Sequence, residues 1–188
     1  MNRKRNLKTL SEAVVAFVVV PAALIAGVAL FNDRKYMLAS VVVACLSCVP
    51  FFIAFEKGRN TVRELVVIAV MSAITVVGRV IFAPVPGFKP VAALVIITGA
   101  ALGAEAGFVT GAMAALASNV FFGQGPWTPF QMFAWGIIGF LAGLCFFGRK
   151  KVGAVALAIA GVVGGILFSL IMDVWTTVSV SGDFIVAE

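Results

Sequence analysis

The sequence predicts an all-α integral membrane protein, a polytopic helical bundle, and three observations carry that reading. Of the 188 residues, 62% are hydrophobic and 12% charged, whereas a soluble domain has roughly 45 to 50% and about 25%. The apolar residues run in blocks near 10–31, 37–55, 63–82, 90–102, 106–122, 129–147 and 152–174, and most of these reach the roughly 17 to 25 residues that a spanning helix needs. None of the blocks alternates as a barrel strand does, so the backbone polar groups must be satisfied within helices.

The first block follows RKRNLK (3–8). A secretory signal is the competing reading, disfavoured because the apolar run is long and lacks a small-residue cleavage site. With the second block it forms a hairpin, so that residues 1–57 make a basic segment plus two helices and 58–188 the rest of the bundle. Cys45 and Cys48 have Cys-x-x-Cys spacing but lie inside an apolar helix just before Pro50; packing accounts for them better than redox chemistry. Cys145 stands alone near a helix end.

The block 63–82 begins at a charge cluster, and Ala69 and Ala73 flatten one of its faces, where a partner subunit can lie close. The block 90–102 is short and must be steeply placed or partly buried. Gly99, Gly103, Gly107 and Gly111 fall four apart, with the turn expected at Glu105 splitting them between two antiparallel helices. Gly136, Gly139 and Gly143, and Gly161 with Gly165, repeat the theme, and close helix packing is the favoured account of all three sets.

Charge orients the bundle. Lys and Arg gather in RKRNLK, in EKGRNTVR (56–63) and in GRKK (148–151), alternate ends of successive helices, which the positive-inside rule places in the cytoplasm with the N-terminus. NDRKY (32–36), FAPVPGFKP (82–90), GQGPWTP (123–129) and SGDFIVAE (181–188) then face outside, and LGAEAG (102–107) is an inner turn. A net charge of +6 would suit a nucleic-acid partner, but its distribution between alternate loops assigns it to membrane topology instead.

Much chemistry is missing. There is no histidine, the commonest general base and metal ligand, and no Gly-x-x-x-x-Gly-Lys-Ser/Thr phosphate loop. No catalytic or metal-binding residue is assigned, and any work done by ATP hydrolysis must come from another subunit.

The outer loops hold the candidate site. FAPVPGFKP and GQGPWTP are rich in proline and glycine, which makes them shaped rather than helical. Phe88, Lys89, Gln124, Trp127, Thr128 and Gln131 converge at one face, and Asp173 and Trp175 of IMDVWTT reach the same depth. A mostly apolar concavity with a few fixed polar groups suits a small organic ligand; a headgroup belt is the competing account of the tryptophans. Asp173 is a functional candidate as an ionisable residue near the membrane interior, and an ion pair with Arg79 is its equal alternative.

The stretch RELVVIAVMSAITVVGRVIFAPVPGFKPVAALVIITGAALGAEAGFVTGAMAALASNVFFGQGPWTPFQMFAWGIIGFLAGL resembles the S components, the substrate-binding subunits of energy-coupling factor (ECF) vitamin transporters. The resemblance covers about 60–182, and GFKPV and FFGQGPWTP followed by Gln131 and MFAWG look most like the group handling cobalamin and its precursors. It implies a six-helix core whose first helix docks through Ala69 and Ala73 onto a transmembrane coupling subunit. Two ATPase subunits would drive toppling of the S component, so that ATP is used by partners and no cofactor is held covalently. Trp127 and Phe88 would wall in a corrin-like or aromatic ligand, Gln124, Thr128 and Gln131 would orient its amides or hydroxyls, and Lys89 would meet a phosphate or carboxylate. Such a protein belongs in a prokaryotic cell membrane.

Two departures accompany the resemblance. The hairpin at 10–31 and 37–55 precedes the core, and the chain stops after the fifth core helix, so a C-terminal truncation is expected. The rival expectations are an S component for a different vitamin, a membrane scaffold whose outer loops dock a protein, and a small membrane enzyme using Asp173. The enzyme is disfavoured because no second carboxylate lies at a comparable depth on the outside except Asp183, in a loop.

Overall fold

The computed structural model describes residues 61–85, 90–149 and 151–181, together with helical positions 42, 45, 46, 48, 49, 51–53, 55 and 56. The first helix expected at 10–31, and Phe88 and Lys89 of the loop expected to face outside, lie outside the described residues. Five helices are delimited: α1 (Val62–Ile81), α2 (Val91–Leu102), α3 (Ala104–Phe122), α4 (Thr128–Phe146) and α5 (Ala154–Ser181). Among the described residues α1, α3, α4 and α5 are long and apolar enough to cross a membrane. The protein is thus an all-helical, multi-pass membrane bundle.

Helix α1 starts with a capping box. Thr61 Oγ1 accepts from the Glu64 amide at 3.3 Å, and the Glu64 carboxylate accepts from the Thr61 amide at 2.9 Å, which satisfies two of the donors a helix start leaves open. The helix buries a narrow stripe, Ile68, Thr75 and Arg79. Its other faces carry exposed Val66, Val70, Ile74 and Val77, as a lipid-facing surface does.

Gly103 makes the turn between α2 and α3. Its φ of 107° is open to glycine at little cost, and its amide caps α2 by donating to Gly99 O at 2.9 Å. The break therefore comes two residues before the expected turn at Glu105, at the residue able to take that backbone geometry. The reversal brings Gly99 against Gly107, where an added Cβ would stand 2.7 Å from Gly99 Cα. Helix α4 crosses at the same point: Cβ atoms on Gly99 or Gly107 would collide with the Gly139 backbone, one on Gly111 with that of Trp135, and one on Gly143 with that of Ala104. The short α2 is accordingly a buried helix, with Val91, Val95, Ile96, Thr98 and Gly99 inside.

Helix α5 runs to Ser181, seven residues beyond the expected end at 174, because no glycine or proline interrupts the chain before Gly182. Its 28 residues span about 42 Å at 1.5 Å each, longer than the roughly 30 Å hydrocarbon layer. The expected packing pair Gly161 and Gly165 has nothing within 4 Å; Gly164 makes the contact instead, against Ile138 and Ile96. The helical positions between 42 and 56 also join the core. Phe51 is fully buried, stacks on Phe108 at 4.0 Å and meets Phe140 edge-on at 5.0 Å, and buried Cys48 lies in the same cluster, a packing role as expected.

Candidate functional site

The ends of α1 and α3, the start of α4 and the C-terminal part of α5 meet at one end of the bundle. The loop from α3 to α4 closes through its own polar groups. Gly123, at φ 93°, ends α3, and the Thr128 amide donates to Gly125 O at 2.9 Å. Thr128 Oγ1 donates to Gln124 Oε1 at 3.0 Å, and Gln124 Nε2 donates to Leu116 O at 2.8 Å. Gly125 has no room for a side chain, because the Trp127 indole lies across it. The loop is therefore a folded plug with the tryptophan ring clamped on its own backbone.

Beneath the loop lies a buried hydrogen-bonded hub. Asn119, 1% exposed, donates through Nδ2 to Thr128 Oγ1 and to Gln131 Oε1, each at 2.9 Å. Its Oδ1 accepts from Arg79 Nη1 at 2.8 Å, and Ser118 Oγ accepts from the same nitrogen. The Arg79 guanidinium lies over the Phe122 ring at 4.6 Å and over Trp135 at 4.7 Å, cation–π distances on which the rings favour the charge. Trp135 stacks on Phe168 of α5 at 5.4 Å. Further out, Trp175 meets Phe130 at 5.5 Å and Trp127 at 6.4 Å, so an aromatic wall joins α5 to the start of α4.

The structure thus brings Gln124, Trp127, Thr128, Gln131 and Trp175 together. Both ends of the Gln124 amide are engaged within the loop, and Thr128 is buried beneath it. Asp173 is exposed on α5, and being two residues before Trp175 it points about 200° away around the helix. Arg79 makes its hydrogen bonds to Ser118 and Asn119, not to Asp173. Ala69 and Ala73 are both exposed, roughly 100 to 140° around α1 from its buried stripe. Sequence reasoning passed over Ser118 and Asn119, which sit in the run ALASNVFF; two adjacent polar side chains inside an otherwise apolar span are the signal that marks them. Among the described residues no cluster of three metal-ligating side chains occurs.

A family model described as ECF transporter, substrate-specific component, matches residues 63–185. No curated protein and no solved structure matches the chain.

Proposed function

Because the chain belongs to the family of ECF transporter substrate-specific components, we propose that it captures cobalamin or a cobalamin precursor at the outer end of the bundle. The substrate-binding role and the partnership with ECF module subunits come with the family. The ligand and the residues that hold it are our reading. The observation that carries it is the junction of Trp127, Phe130 and Trp175 beside the Asn119 hub, aromatic faces next to fixed polar groups.

On this reading Trp127 and Trp175 wall the ligand, with Phe88 contributing from the first outer loop. Gln131 and Lys89 meet its polar groups, Gln124 and Thr128 keep the loop in shape, and Asp173 lies at the rim. Ala69 and Ala73, small and exposed, let the backbone of the coupling subunit approach α1, and two ATPase subunits supply the work. The membrane is that of a prokaryotic cell, with the N-terminus and the GRKK loop in the cytoplasm.

Native mass spectrometry of the protein purified from its own cells tests this. A one-to-one cobamide mass is the expected result. A different vitamin at that stoichiometry would overturn the cobalamin assignment and keep the transport role. A protein that carries no small molecule and does not co-purify with a coupling subunit would be a scaffold.

A further inference from the structure

Arg79 is the one cation that the described part of the bundle buries. It lies in the last turn of α1 with 8% of its surface exposed, and no carboxylate among the described residues pairs with it. Its hydrogen-bond partners, Ser118 Oγ and Asn119 Oδ1, are neutral and share a single nitrogen, Nη1. Of the carboxylates among the described residues, Glu64 and Glu105 sit in the first turns of α1 and α3, at the opposite end of the bundle. Glu56 precedes α1 on that same side, and Asp173 is exposed on α5.

A cation taken out of water without a counter-charge is costly, and protein interiors keep one when a partner or ligand offsets the cost. The remaining geometry describes what such a partner must be. Phe122 and Trp135 cover the guanidinium, so a newcomer approaches along its edge. Nη1 is engaged, whereas Nε and Nη2 make no hydrogen bond among the described residues, and neither is a buried polar atom lacking a partner. That free side of the fork matches two oxygens of one carboxylate or phosphate. Asn119 is itself locked, since its amide nitrogen is spent on Thr128 and Gln131, which fixes the Arg79 fork in one orientation before anything binds.

We propose that Arg79 is the receptor for an anionic oxygen group, phosphate or carboxylate, carried by the transported molecule. The inference rests on the substrate-binding reading above and narrows it to ligands with an acidic group. Occupancy is felt beyond α1, because Phe122, Arg79, Trp135 and Phe168 form a continuous stack through α3, α1, α4 and α5.

The test uses the delipidated full chain in maltoside micelles. Sodium phosphate and sodium acetate are titrated against sodium chloride at constant ionic strength, with tryptophan fluorescence as the readout, since Trp135 touches the guanidinium. Saturable quenching or enhancement by phosphate or acetate, but not chloride, is expected. Its apparent affinity should fall at least tenfold in Arg79→Gln and less in Arg79→Lys, which keeps the charge and loses the fork. The absence of any difference between these anions and chloride in the wild-type protein would overturn the proposal, whether or not the variants fold. Saturation by phosphatidic acid micelles alone would assign the site to a lipid headgroup and overturn it too. Cobalamin titrated in parallel separates the two readings. Equal cobalamin affinity in wild type and a folded Arg79→Gln defeats the anion receptor and leaves the transport role standing. Arg79-dependent phosphate binding without any retained vitamin or coupling subunit does the reverse.

Discussion

Helices α2, α3 and α4 and the peripheral pair α1 and α5 are held in different ways, and the difference does not follow apolarity: mean hydropathy is 2.1 in α1 and 2.5 in α5 but 1.2 in α3 and 1.6 in α4. Within the trio, Gly99, Gly107 and Gly139 put backbone against backbone, and 61% of the apolar span is buried in α3 and likewise in α4. The corresponding shares are 17% for α1 and 6% for α5. These two attach by side chains along one stripe, α1 through Ile68, Thr75 and Arg79 and α5 through Leu157, Ala160, Leu167, Phe168 and Trp175. Lipid and protein interior are about equally attractive to an apolar side chain, so hydrophobicity cannot make a fixed core in a membrane; backbone proximity can. The comparison sets a backbone-packed trio against two peripheral helices held by side chains.

The largest effect should come from breaking the trio. Gly139→Leu drives a side chain into the Gly107 carbonyl, a backbone obstacle that cannot move aside, and overpacking of this kind costs about 1–3 kcal/mol or more. We expect little monodisperse protein in detergent by size-exclusion chromatography. Gly161→Leu, placed where nothing lies within 4 Å, should stay within about 0.5 kcal/mol of wild type. Equal damage from both would dissolve the distinction between the two regions.

Next is the exposed face of α1. Replacing Ala69 and Ala73 together by Trp should abolish vitamin uptake by cells and co-purification with the coupling subunit, because the added bulk holds the partner helix away. Ligand affinity of the isolated protein should change less than threefold, since neither residue is in the buried stripe. Uptake retained by the double variant would remove α1 from the docking role.

A smaller effect is expected at the hub that ties α1 to the trio. Asn119→Ala leaves the Arg79, Thr128 and Gln131 groups short of a partner, and such a buried deficit costs about 1–3 kcal/mol. The midpoint of thermal or dodecyl-sulfate unfolding should drop accordingly. An unchanged midpoint would mean that water takes the place of the amide and that α1 is held by its apolar stripe.

Much of this arrangement was legible in the sequence. The ends of α1, α2 and α4 fall within one residue of their apolar blocks, because charges, glycines and prolines interrupt the runs there. The glycine sets of α2, α3 and α4 were read as packing residues, and they are, except that Gly103 makes the turn instead. Gly161 and Gly165 were read the same way and face open space, since spacing alone does not say which side of a helix has a neighbour. Trp127, Thr128, Gln131 and Trp175 were brought together by topology, which charge placement makes readable. The Asn119 hub was not: the polar pair Ser118 and Asn119 marks the place, but that this face of α3 meets Arg79 is a tertiary property that the run itself does not encode. Arg79 itself entered only as a possible partner of Asp173.

The claim that Trp127 is a ligand wall is tested most directly by calorimetry of cobalamin binding to purified wild type, Trp127→Phe and Trp127→Ala. Loss of the ring removes about 0.5–1.5 kcal/mol of aromatic contact plus the area term at about 25 cal/mol per Å², and about 1.4 kcal/mol is a factor of ten. The account predicts at least tenfold weaker binding by Trp127→Ala and near-wild-type binding by Trp127→Phe. Wild-type affinity in a folded Trp127→Ala protein would contradict it and return the Gln-Gly-Pro-Trp-Thr-Pro segment to the role of an interfacial turn.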